Sequence, residues 1–213
     1  MTPSPRLRVP ASLFLACLAG CAHPEIAVNT RADFSKIRRV AVASFGGSGG
    51  GLAADLLTQD LLKHGADVVE RQRLDALLKE QQLASQNSLD PATLKKIGKI
   101  LGVDAMFMGT VASNVPSQSY LVTRSRRGEK HDTVTPVGSA HVSQGPVAGL
   151  PRAEVVTSAA QNSLIARLVD VETGSVLWSG RMSYEGYDNQ SAMASITSSF
   201  AKSLVPLWPA LHP

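Results

Sequence analysis

The residues best placed to do chemistry lie between Gly46 and Gly51. Gly46-Gly47-Ser48-Gly49-Gly50 has the G-x-S-x-G spacing of a nucleophile elbow, in which a tight strand-to-helix turn exposes a serine hydroxyl. Such a serine needs a base within about 3 Å of its oxygen. The histidines that follow in chain order, His131 and His141, fall in a stretch that reads as irregular. The same glycines, with Leu52-Ala53-Ala54 after them, fit G-x-G-x-x-A, and Glu70 lies about 20 residues on. In that second chemistry a helix N-terminus receives a pyrophosphate and the acid takes a ribose hydroxyl. A run of six small residues is looser than the tight turn this motif needs, and no second nucleotide-binding half follows. Both matches are also met by a plain glycine connection from a strand to a helix. We expect no cofactor. The five histidines have no metal-ligand spacing, so no metal site is expected.

A second reactive group is more specific. Cys21 follows Leu18-Ala19-Gly20. Upstream lies the apolar run Val9 to Leu18, preceded by Arg6 and Arg8. A positive start, a short apolar middle and small residues before the cut make a secretory signal over residues 1–20. The run is shorter than the roughly 20 residues a spanning helix needs. The pattern resembles the lipobox of bacterial lipoproteins. That resemblance implies cleavage between Gly20 and Cys21 and a diacylglycerol on the Cys21 thiol. Ala22, where lipoproteins held at the inner membrane typically carry aspartate, favours the outer membrane and its periplasmic face.

Composition bounds the rest. The 213 residues carry a formal charge of +4, and removal of Arg6 and Arg8 lowers it by two. This is too weak to argue for nucleic acid. Apolar residues make up 44%, as in ordinary globular chains. Cys17 lies in the signal and Cys21 carries lipid, which leaves no thiol for a disulfide, a metal or catalysis.

The elements that must position these groups follow from periodicity. Residues 21–36 read as a tether. Arg38 to Phe45 reads as a strand, apolar on both faces in its second half. Leu52 to Lys63 reads as a helix with Leu56, Leu57 and Leu61 on its core side, stopped by Gly65. Asp67 to Glu70 is a short strand. Leu74, Leu77 and Leu78 mark a helix from about Arg71 to Ala84. Asp90-Pro91 opens a third helix, with Leu94, Ile97, Ile100 and Leu101 as its stripe and Gly102 as its stop. Asp104 to Ala112 is a strand. Residues 113–160, with four prolines and a basic cluster, read as an irregular insertion. Ser163–Val171 and Val176–Tyr184 form a hairpin about Glu172-Thr173-Gly174-Ser175. Asn189 caps a last helix whose apolar face is Met193, Ile196, Phe200 and Leu204. Residues 206–213 read as a tail. The expected fold is α/β: a β-α-β-α-α-β core closed by an antiparallel hairpin and a C-terminal helix, with a loose insertion.

Several segments together resemble the CsgG family of curli-production assembly lipoproteins. They are Arg39-Val40-Ala41-Val42; Val68 through Gln81, with Glu70-Arg71-Gln72-Arg73-Leu74 at its centre; Asp90-Pro91-Ala92-Thr93; Ile97-Gly98-Lys99-Ile100-Leu101-Gly102-Val103-Asp104-Ala105; and Gly109-Thr110-Val111. Val169-Asp170-Val171-Glu172-Thr173-Gly174-Ser175-Val176-Leu177-Trp178 is similar to that family's closing hairpin. The resemblance covers about residues 38–112 and 162–205, within a domain over 37–205. It implies a periplasmic, non-catalytic α/β domain that grips other envelope proteins, with homo-oligomers among its members. The best-known members form rings in which each subunit gives two β-hairpins to a transmembrane barrel. Here Gln118 to Thr123 is shorter than the roughly 9–11 residues a spanning strand needs. Pro136 and Gly138 oppose a lipid-facing partner strand. Only Glu185-Gly186-Tyr187-Asp188 separates the closing strand from the last helix. We therefore expect an assembly or secretion factor rather than a pore. The layout is similar as well to lipoproteins that regulate peptidoglycan synthases, which is the alternative reading. A serine hydrolase using Ser48 is the second alternative. Within the insertion, Arg124, Arg126, Arg127 and Lys130 are the candidate contacts for anionic lipid heads or an acidic partner.

Overall fold

The structure is a computed structural model. It describes residues 23–70, 72–74, 76, 91–124, 133–138, 145–148 and 150–212. Strand β1 spans Glu25–Val28, and a 3-10 turn follows at Phe34–Lys36. Then come β2 (Arg39–Val42), α1 (Gly50–Lys63), β3 (Asp67–Val69), α2 (Pro91–Leu101) and β4 (Ala105–Val115). The second half holds β5 (Gln118–Thr123), β6 (Thr133–Gly138), β7 (Gly145–Val147), β8 (Leu150–Ser158), β9 (Ala160–Asp170), β10 (Val176–Gly186) and α3 (Asn189–Leu204). Residues 72–74 and 76 are helical, with Leu74 fully buried. The remainder of the helix expected over 71–84, and its neighbour Asp90, lie outside the described residues.

The body is a six-stranded sheet in the order β1-β10-β9-β4-β2-β3. β2 pairs parallel with both β3 and β4, through crossovers that carry α1 and α2. β9 runs antiparallel to β4 and to β10. This is the expected α/β core with its closing hairpin. Val40, Ala41 and Val42 are almost wholly buried because helices cover both faces of β2. One face packs α1 and α3 over Phe107, Leu164, Leu168 and Trp178. On the other, Leu94, Ile97 and Leu101 of α2 meet Ala41, Met106, Val169 and Val171. The Trp178 ring makes edge contacts with Phe107 at 6.3 Å and Phe200 at 5.4 Å. A polar pin joins the two helices above it. Thr197 Oγ1 donates to Asp60 Oδ2 at 2.8 Å, and Lys63 Nζ donates to Asp60 Oδ1 at 2.9 Å.

Four expectations need correction. Residues 21–36 are not a free tether throughout. Glu25–Val28 adds to the outer edge of β10, with Glu25 opposite Arg181 and Val28 opposite Trp178. Phe34 behind it is buried. Asp33 caps the 3-10 turn. Its carboxyl lies below the usual carboxylate range, chiefly because the Ser35 hydroxyl donates to it and then because the Ser35 amide does.

Residues 206–213 are not a tail either. Trp208 and Leu211 sit in the core, and Trp208 Nε1 donates to the Ile37 carbonyl at 2.8 Å. His212 N donates to the His64 carbonyl, and His64 Nδ1 donates to the His212 carbonyl, both at 2.7 Å. The prolines at 206 and 209 end a helix without ending the fold.

Residues 113–160 are not irregular where they are described. They form a second sheet, ordered β6-β5-β8-β7. Pro136 and Pro146 sit on its two edge strands, the positions in a sheet that tolerate proline. The last helix is capped one residue earlier than expected. Asp188 Oδ1 accepts from Ser191 N at 2.7 Å, and Ser191 Oγ accepts from Asp188 N at 3.1 Å.

Trp208 binds the C-terminal segment to the body by both burial and a hydrogen bond. Trp208→Ala should therefore cost about 3–5 kcal/mol. In urea unfolding the midpoint should drop with little change in slope. A variant within about 1 kcal/mol of wild type would return the segment to the status of a tail.

Candidate functional site

The second sheet is built on the first. Val115 of β4 faces Gln161 of β9, and Gln118 of β5 faces Ser158 of β8. The step is three residues on both strands, so the two ladders are in phase. A single antiparallel ribbon leaves the body, is interrupted at Pro116-Ser117 and Ala159, and continues as β5/β8. Six paired residues give an arm about 20 Å long. β6 and β7 widen it on either side.

Cross-strand register sorts the arm's side chains into two faces. Ser119 opposes Thr157, Leu121 opposes Val155 and Thr123 opposes Ala153. On this face Ser119, Ala153 and Val155 are buried, and Ser119 Oγ and Thr157 Oγ1 share a hydrogen bond of 2.9 Å. The opposite face pairs Tyr120 with Val156 and Pro136, and Val122 with Glu154 and Val134. Here Val134 is 57% exposed and Val156 44%. Arg124 is at the far end of this face. Its guanidinium meets Glu154 Oε1 at 2.9 Å, and its amide donates to the Arg152 carbonyl at 2.9 Å. Of the four expected contacts, the structure thus places Arg124 at the arm's outer end, beside Arg152. Arg126, Arg127 and Lys130 lie outside the described residues, as do Gly20 and Cys21.

Sequence reading missed Val134, Val156 and Arg152 as surface-forming residues of a sheet. The signal was present as alternation over Gln118–Thr123 and again over Arg152–Thr157. Proline and glycine between them masked it.

The glycine loop that suggested catalysis has a packing explanation. It leaves β2, bridges to β4 at Gly46 and Thr110, and turns into α1. Gly47 has φ +87°, and a Cβ there would come within 2.4 Å of the Val111 carbonyl oxygen. A Cβ on Gly50 would come within 1.8 Å of the Phe45 carbonyl oxygen. These glycines let protein backbone approach protein backbone. Asn114 closes the loop from outside. Its Nδ2 donates to the Ser48 carbonyl at 3.0 Å and reaches Ser48 Oγ at 3.5 Å. A carboxamide does not take a proton, so this neighbour cannot activate the hydroxyl. His131 and His141 lie outside the described residues. His64 is engaged with His212 at the C-terminal end of α1, the opposite end from Ser48.

Two substitutions separate the readings. Ser48→Ala should change stability by less than about 0.5 kcal/mol, and wild-type protein should take no label from an active-site phosphonate. Gly50→Ala should destabilise by about 3 kcal/mol or more, because the new Cβ would overlap the backbone carbonyl of Phe45, whose side chain is held in the core. Labelling that Ser48→Ala abolishes would overturn the packing explanation.

The chain is similar to several known proteins. Among solved structures, the PelC dodecamer from Paraburkholderia phytofirmans is 16% identical, with a TM-score of 0.42; the match covers 86% of this chain and 96% of that one. Lipoprotein GNA1162 from Neisseria meningitidis is 17% identical with a TM-score of 0.45, covering 79% and 98%. The LpoB C-terminal domain from Salmonella enterica is 18% identical with a TM-score of 0.40, covering 71% and 86%. No curated protein matches the chain. The family described as curli production assembly/transport component CsgG matches residues 21–199. The parallel β2-β4 core, the closing β9/β10 hairpin and that match over most of its length make this chain a member of the CsgG family.

Proposed function

We propose that this protein is a lipid-anchored component of the bacterial outer membrane that acts in the assembly or secretion of an envelope structure. It works by gripping other proteins and catalyses no reaction. The observation that carries the reading is the CsgG family match over residues 21–199, a family named for curli assembly and transport. The sequence Leu18-Ala19-Gly20-Cys21 supports the anchor, with cleavage after Gly20 and acylation of the Cys21 thiol. Several acyl chains hold a protein firmly, since each buried methylene contributes about 0.8 kcal/mol. Ala22 supports the outer membrane and its periplasmic face. The packing role of the Gly46–Gly51 loop supports a non-enzymatic body.

In this reading the anchor sets location and the six-stranded body is a rigid mount. The arm is a contact surface, and the cluster Arg124, Arg126, Arg127 and Lys130 supplies candidate contacts for anionic lipid heads or an acidic partner. Partners include other envelope proteins and further copies of the chain, and exclude nucleic acid.

The test is metabolic labelling with palmitate and membrane fractionation in a bacterial host. Wild type should incorporate palmitate and fractionate with the outer membrane. Cys21→Ser should lose the label and accumulate as unprocessed precursor or in the soluble periplasm. An unlabelled wild type whose fractionation is unchanged by Cys21→Ser would overturn the anchor.

A further inference from the structure

The direction of β1 and the position of the arm bear on how the protein sits on its membrane. β1 is antiparallel to β10, with Glu25 opposite Arg181 and Val28 opposite Trp178. The chain therefore enters β1 from the Gly186 end of β10. Cys21 is four residues before Glu25, so covalent reach holds it within about 14 Å of Glu25. Across the sheet, Gly186 faces Ala160 on β9, and Gln161 faces Val115 on β4. The anchored end of β1, the β10-to-α3 turn and the root of the arm thus share one end of the body.

That end carries exposed apolar groups. Tyr187 in the turn is 68% exposed and Val115 at the arm's root is 48% exposed. Beyond the root lies the arm face with Tyr120, Val122, Val134, Pro136 and Val156, ended by Arg124 and Arg152. A tyrosine beside an apolar face with an arginine margin is the chemistry of a bilayer interface.

We infer that this arm face lies flat on the phospholipid headgroup layer, with Tyr187 of the β10-to-α3 turn at the same depth. The inference rests on the anchor proposed for Cys21. Penetration to the hydrocarbon core is disfavoured by two features. The Arg124–Glu154 pair lies on the face itself, and the outer edge of β6 is unpaired among the described residues. Open sheet edges and unsatisfied backbone groups do not occur in hydrocarbon. The proposed orientation puts the turn of the arm onto the surface at the break in the ladder, Pro116-Ser117 and Ala159. The arginine margin then meets lipid phosphates, and the apolar half sinks to the acyl boundary. The lipid surface becomes a second contact besides the acyl chains, and it fixes orientation as well as location.

The experiment uses full-length lipidated protein extracted from membranes and reconstituted into vesicles of phosphatidylethanolamine and phosphatidylglycerol. The mature chain has no other cysteine besides the blocked Cys21. Val134→Cys, Tyr187→Cys and, as the distal site, Ile100→Cys on α2 are each labelled with an environment-sensitive fluorophore. All three positions are solvent-exposed, Ile100 at 46%, so the labels need no core space. Nitroxide-bearing lipids then report depth. Labels at 134 and 187 should be quenched at least about twofold more than the label at 100. Equal quenching at all three, in protein that floats with the vesicles and carries palmitate, would overturn the orientation while leaving the anchor intact. Protein that carries no palmitate and does not float would overturn the anchor and the orientation together. Quenching greatest for labels placed near the bilayer midplane would replace a surface-lying arm by an inserted one.

Discussion

The antiparallel ladder between β4 and β9 is the constraint on which the other parts depend. Its eleven-residue strands lie at the centre of the body sheet, with β2 on one side and β10 on the other. The inner half of the ladder is core. Met106, Phe107, Leu164 and Leu168 are buried between the helix layers. The outer half is a mount. The same two strands run on, in phase, into the arm. A shift of one residue would turn every core side chain to the wrong face, so burial in the body fixes the register of the arm as well. Packing energy inside the body thereby determines which arm residues face outward, at a distance of about 20 Å.

The body is small and lacks any disulfide, so its edges matter. β1 covers part of β10's outer edge, and the Glu25 carboxylate meets the Arg181 guanidinium at 2.7 Å. Both side chains are well exposed, so this pair contributes little energy and serves mainly to keep register. At the C-terminus, Trp208 fills space beside Ile37 and ties the last segment to the start of β2. The two ends of the domain are therefore held by contacts between residues far apart in sequence. Lys95 and Glu172 make a similar link between α2 and the β9–β10 turn.

This explains which parts of the fold could be read from the chain. α1, α2, β4, β9 and β10 carry strong local signals: leucine stripes, apolar runs and glycine stops. The fold class and order of the core followed from them. β1 has four residues and only its partner makes it a strand. Trp208 comes after the helix-ending Pro206, and only Ile37, 171 residues earlier, shows that it is buried. β6 and β7 contain proline because edge strands tolerate it, whereas a reading by composition takes proline as loop. At Val176 a bulge shifts the pairing with β9, so that Val176 is exposed and Leu177 is buried. Alternation alone puts Val176 on the same face as Trp178. The glycine loop was legible as a loop, while its enzyme-like spacing reflects close backbone packing. The arm face could not be assembled before the register was known, because its residues come from three strands.

In the proposed orientation the anchored end of the sheet and the arm face one lipid surface. Hydrogen–deuterium exchange tests this most directly, comparing lipidated protein on vesicles with the Cys21→Ser protein in solution. Slowed exchange on vesicles is predicted in the arm, residues 118–124, 133–138, 145–147 and 150–158, and in the β10–α3 turn, with α2 and β3 unchanged. Slowed exchange confined to α2 and β3, or no difference anywhere, would contradict it.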